Sequence, residues 1–82
     1  MRFDVALASL RLFKSRSQAS TAIQDGAALL NGAHVKPSHA LAPGDRITLV
    51  GERGSRTLEV LELPARPPSR EEAKRMVREV AE

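Results

Sequence analysis

The chain has 82 residues, with 13 Lys and Arg against 10 Asp and Glu and a net charge of +3, a size that supports one small domain with a thin core. It contains no cysteine, no Trp and no Tyr, and its aromatics are Phe3 and Phe13, which excludes a disulfide framework and thiol chemistry and argues against an aromatic platform for stacked bases. No secretory signal or transmembrane run is apparent in the sequence, so a cytoplasmic location is expected.

Residues 2–10 read as a short helix, because Phe3, Leu7 and Leu10 recur at helical spacing with Ala6 beside them. Asp4 suits the positive end of that helix, and Arg2 and Asp4 are placed to form a structural pair. Residues 11–15 are the connection. A second helix then runs to about Asp25, with Ser15 or Ser17 as N-cap and Ala19, Ala22 and Ile23 as its apolar stripe. Ser17, Thr21 and Gln24 fall on the opposite, uncrowded face. Arg11, Lys14 and Arg16 cluster where this helix begins, so free N–H groups and three cations together make an anion site. Gly26 is a natural helix stop.

Beyond Gly26 the period shortens. Asn31-Gly32 lies between two short apolar runs, 28–30 and 33–35, and predicts a hairpin turn. Lys36-Pro37-Ser38 ends the second run. Pro43-Gly44 predicts a type II turn. Residues 46–50 and 56–63 alternate as strands, with Leu58, Val60 and either Leu61 or Leu63 inward. Pro64 to Pro68 is a stiff spacer. Ser69 and Glu72 spell a capping box that opens a helix over 69–81, with Ala73, Met76, Val77, Val80 and Ala81 as its apolar stripe and Glu71–Arg75 and Arg75–Glu79 as exposed pairs.

Charge is unevenly placed along the chain. Residues 1–44 carry five bases against two acids, whereas residues 45–82 carry eight of each. A basic first half points to a polyanion partner.

Several motifs, taken as a set, resemble the S4 RNA-binding domain family over about residues 1–50. They are Arg2-Phe3-Asp4 with Leu7, then Arg11, Ser15-Arg16, the run Gly26 to Gly32 ending Asn-Gly, Lys36-Pro37-Ser38, and Pro43-Gly44-Asp45. Ala28 and Leu30 stand where that family usually has valines. The spacing is most similar to small stand-alone ribosome-associated members, of the heat-shock S4 and RqcP types, and the lack of a long basic tail favours the RqcP type. The resemblance implies an α+β fold, in which an S4-like (αL motif) two-helix unit packs on a small antiparallel sheet, plus a C-terminal helix. Residues 1–63 would be the S4-type RNA-binding domain. Residues 64–82 would be a Pro-rich spacer and a helix packing on that domain or on a partner.

The resemblance further implies an L-shaped RNA surface. Arg11, Lys14, Arg16, Ser17, Thr21 and Gln24 would line one limb, and Asn31 and Lys36 the other. The implied partners are structured rRNA, tRNA, the large ribosomal subunit and ribosome-quality-control proteins, in protein biosynthesis and the rescue of stalled ribosomes, with no membrane. Arg suits bidentate phosphate contact and short hydroxyls suit backbone or 2′-OH contact. No catalytic constellation is present, so no enzyme activity is expected. His34 and His39 complete no tetrahedral set, so neither a metal nor a cofactor is expected. Two other readings remain. The helix pair 2–25 also fits a helix-turn-helix DNA-binding regulator, although its exposed face is poor in base-reading side chains. The C-terminal helix also fits a protein-interaction module.

Overall fold

The computed structural model describes residues 1–80. Helices α1 (Phe3–Ser9) and α2 (Arg16–Gln24) come first, followed by strands β1 (Ala28–Leu30), β2 (Arg46–Gly51) and β3 (Gly54–Val60), helix α3 (Arg70–Met76) and strand β4 (Val77–Val80). The four strands form one antiparallel sheet in the order β1-β2-β3-β4. The α+β class, the two-helix unit on a small sheet and the C-terminal helix are all as expected from the sequence.

The core forms between the helix pair and one face of the sheet. Phe3, Ala6 and Leu7 of α1 and Ala19 and Ile23 of α2 are fully buried against Leu30, Ile47 and Val60. Each large aliphatic side chain buried in this way contributes about 1.5–3 kcal/mol. The register pairs Leu30 with Ile47 and Ile47 with Leu58, which sets these residues on the same face of the sheet. The opposite face is polar: Thr48 and Thr57 hydrogen-bond at 3.1 Å, and Arg78 reaches Glu59 at 2.7 Å.

Local chemistry places the ends of the elements. Ser15 caps α2 by accepting from Gln18 N–H, which leaves Ser17 inside the first turn. Gly26, at φ 77, closes α2 while Gly26 and Ala27 N–H donate to Ile23 and Ala22 carbonyls, the double bond of a Schellman stop. Asn31 (φ 51) and Gly32 (φ 79) form the tight turn, and Leu30 and Ala33 exchange both backbone bonds across it. Gly44 (φ 95) completes the turn closed by Asp45 N–H to the Ala42 carbonyl.

Two expectations are corrected. The Asn-Gly turn does not join two full strands, because pairing stops after the Leu30–Ala33 bridge. The chain then turns away, and the carbonyls of Pro37 and His39 accept the Asp4 and Phe3 N–H groups that begin α1. The partner of β1 is instead β2. The helix expected over 69–81 opens on the predicted Ser69–Glu72 capping box but ends at Met76. Val77 takes extended angles, and Val77–Val80 joins the open edge of β3. Glu79 therefore pairs with Arg56 at 2.7 Å rather than with Arg75. A helix would have left that edge unpaired, and two β-branched valines favour the strand. Ala81 lies outside the described residues.

Asn31 carries the join between the tight turn and the sheet. Its Nδ2 donates to Asp45 Oδ1 at 3.1 Å and its Oδ1 accepts from Arg46 N–H at 2.9 Å. Asn31→Ala removes both bonds and puts a residue less tolerant of positive φ into the turn, so a loss of about 1–2 kcal/mol is expected. Urea denaturation measures it, and an unchanged midpoint would remove Asn31 from this role.

Candidate nucleic-acid interface

The first site is built around a carboxylate. Arg2 meets Asp4 within one turn of chain, whereas Arg16, twelve residues on, needs the α1–α2 packing to reach it. Asp4 accepts from Arg2 through Nε to Oδ1 at 3.1 Å and Nη2 to Oδ2 at 3.1 Å, from Arg16 Nε to Oδ2 at 3.2 Å, and from Val5 N–H at 2.8 Å. The Asp4 side chain is 3% exposed, while Arg2 and Arg16 remain 47% and 57% exposed. The carboxylate thus sits just below the surface, covered by the guanidiniums it binds. Desolvation alone would raise its pKa. Hydrogen bonds from Arg2, then Arg16, then Val5 N–H outweigh that effect and leave it below the ordinary value.

Arg16 is consequently held at the first residue of α2 through Nε, and its terminal nitrogens have no protein partner among the described residues. Lys36 is exposed on the segment whose Pro37 carbonyl accepts from Asp4 N–H at 3.1 Å, so it approaches the same corner. Ser17 and Thr21 share a shallow depression beside Phe13 and Ala22. Gln24 is exposed at the last residue of α2.

Arg11 and Lys14 lie elsewhere, on a cleft of about 550 Å³ that also carries Arg56, Arg70 and Lys74. Arg11 adopts φ 61 and donates from Nε to the Pro68 carbonyl at 3.1 Å, which fastens the spacer to the helix pair. Asn31 is exposed, but its amide is engaged with Asp45 and Arg46. The structure therefore sorts seven of the eight predicted positions into an Asp4 corner, a hydroxyl-lined patch, a cationic cleft and a turn, and leaves Gln24 apart at the end of α2. Sequence reasoning missed Arg56, Arg70 and Lys74, and no local signal marks them, since folding alone brings them to Arg11.

The S4 domain family matches residues 1–47. Trimeric Heat Shock Protein 15 of Vibrio cholerae is 30% identical, with a TM-score of 0.90 over 99% of this chain and 82% of that one. The hypothetical protein HP1423, solved in solution, is also 30% identical, with a TM-score of 0.82 over 100% of this chain and 99% of its own. No curated protein matches the chain.

The lowered pKa of Asp4 has a signed consequence. Its contribution to stability is fully present above the ordinary value of 3.8 and is lost as pH falls through the lower folded value. Asp4→Asn should cost about 1–2 kcal/mol at neutral pH, a modest figure because both arginines regain water. The gap between wild type and variant should narrow as pH falls below 3.8. Urea titrations at several pH values check this, and a gap independent of pH would show that the charge of Asp4 is irrelevant.

Proposed function

Because the chain belongs to the S4 domain family, we propose that it binds structured rRNA, and tRNA beside it, on the large ribosomal subunit during rescue or quality control of stalled ribosomes. RNA binding is what the family match and the likeness to Heat Shock Protein 15 support. The ribosomal assignment rests on the resemblance of residues 1–50 to stand-alone ribosome-associated members.

The observation that carries the reading is the geometry of Arg16. Asp4 fixes its Nε, and the outer edge of the guanidinium faces solvent at the start of α2. A guanidinium held this way loses little freedom on meeting a phosphate, and the helix N-terminus adds its own positive potential. Ser17 and Thr21 continue the surface with short hydroxyls that let a ribose-phosphate chain approach. Such a surface reads shape and backbone rather than base edges, and it performs no chemistry. Residues 1–63 hold this surface, and residues 64–80 complete the sheet beside it. No described helix is long and apolar enough to cross a membrane, and the ribosomal reading places the protein in the cytoplasm.

A helix-turn-helix role gains nothing from the geometry, since the exposed positions of α2 are Ser17, Gln18, Thr21 and Gln24, with Arg16 tied to Asp4. Competition between duplex DNA and hairpin RNA separates the two readings.

Arg16→Ala should weaken hairpin RNA binding irrespective of sequence and reduce the log–log salt slope by about 0.7–0.9 for each phosphate left without its cation. Fluorescence anisotropy across a salt series measures it, and an unchanged slope would remove Arg16 from the interface. On sucrose gradients at low salt the wild type should travel with the large subunit; recovery only at the top of the gradient would overturn the ribosomal assignment.

A further inference from the structure

The cationic cleft lies outside the surface around Arg16 and is built largely from residues beyond the matched 1–47 segment. Its rim carries Arg11 and Lys14 from the α1–α2 connection, Arg56 from β3, and Arg70 and Lys74 from α3. The acid beside them, Glu79, is already paired with Arg56 at 2.7 Å. Lys14, Arg70 and Lys74 have no side-chain partner among the described residues.

The floor is different in kind. Here the apolar face of the sheet runs out from under the helix pair. Leu10, Leu58 and Ala73 close the bottom, at 3%, 3% and 4% exposure. Leu12 and Val77, half-buried, are the apolar surface that a ligand can touch. At about 550 Å³ the cleft is within the size range of small-ligand sites.

We propose that this cleft receives one unstacked nucleotide of the RNA that the protein binds, with its phosphate held between the Arg11–Lys14 and Arg70–Lys74 sides and its base laid over Leu12 and Val77. The proposal rests on the RNA-binding reading and adds a second, single-strand subsite to it. Charge decides the class of occupant, because five cations around one spent carboxylate repel a basic ligand and attract an anionic one. The floor decides the form. Paired bases in a stem hide their faces, whereas a base released from a loop or a strand end exposes an apolar face that needs cover. Arg56, steadied through Nε by Glu79, offers a planar guanidinium on which such a base can also stack.

Arg11 supports the assignment independently. It is one of two non-glycine residues at positive φ among the described residues, a conformation that crowds a side chain against its own backbone. The other, Asn31, belongs to a type that tolerates this region and serves a turn. Arg11 is not of that type. In that conformation Arg11 lines the cleft while its Nε donates to the Pro68 carbonyl at 3.1 Å.

The test compares a blunt RNA hairpin with the same hairpin carrying a short unpaired 3′ extension. The wild type should bind the extended RNA about tenfold more tightly, the effect of roughly two added ion pairs at moderate salt. The exposed double variant Arg70→Ala/Lys74→Ala should bind the blunt hairpin as wild type does and lose that gain, and Arg70→Lys/Lys74→Arg should retain it. In methyl NMR of the wild type, Leu12 and Val77 should show ring-current shifts with the extended RNA and none with the blunt hairpin or with inorganic phosphate. Equal affinity for the two RNAs with unmoved methyls overturns the cleft and leaves the RNA-binding reading standing. Equal weakening of both RNAs in the Ala variant also overturns it, since the cations then act only as a general field. A glutamate-rich peptide that displaces the extension would assign the cleft to an acidic protein instead. Failure of the wild type to bind either RNA overturns the underlying reading as well.

Discussion

A carboxylate beneath two guanidiniums holds one end of this molecule together. Asp4 accepts from Arg2, from Arg16 and from the N–H of Val5, and its own N–H donates to the Pro37 carbonyl. Through one residue the start of α1, the start of α2 and the segment after the tight turn are joined. Carboxylates placed this shallowly are worth little as isolated pairs. The effect comes from convergence, because four donors on the carboxylate and one backbone bond to Pro37 together hold three chain segments. Arg16 is therefore presented to solvent in a defined pose, with the orienting bond made by Nε and the phosphate-matching edge left outward.

Much of this was legible in the sequence wherever the signal was local. Ser15 before a helical stripe, Gly26 after it, Asn31-Gly32, Pro43-Gly44 and the Ser69–Glu72 box each state a backbone conformation within a few residues, and each is found as read. The Arg2–Asp4 pair was also visible, since one residue separates its partners. What escaped was decided at long range. Val77 and Val80 lie three apart, a spacing that fits a helix stripe, and their strand exists because β3 offers an unfilled edge. Residues 33–35 failed to extend as a strand because the following segment is drawn to the N–H groups of α1. For the site, the positions on α2 could be named from the sequence, but the division of the cations into two regions could not.

The charge count by halves shows the same limit. Residues 45–82 are neutral overall, yet they supply three of the five cations of the cleft. Three of their acids are engaged within this half. Glu59 pairs with Arg78, Glu79 with Arg56, and Glu72 accepts from the backbone N–H of Ser69. Neutrality along the chain thus leaves an excess of positive charge along one rim, where Glu79 is taken up by Arg56 and Lys14, Arg70 and Lys74 keep no side-chain partner among the described residues. Composition marks the first half as the basic part, whereas the fold brings cations of both halves to one cleft.

The arrangement of the strands bears on how the protein behaves when crowded. The sheet places its longest pair, β2 and β3, in the middle and its shortest strands, of three and four residues, on the outside. A stub of three residues offers too few free amides to template a neighbour, and the β4 flank sets Arg78 and Glu79 between its valines. Molecules brought side by side therefore meet through short flanks poorly suited to lateral zippering.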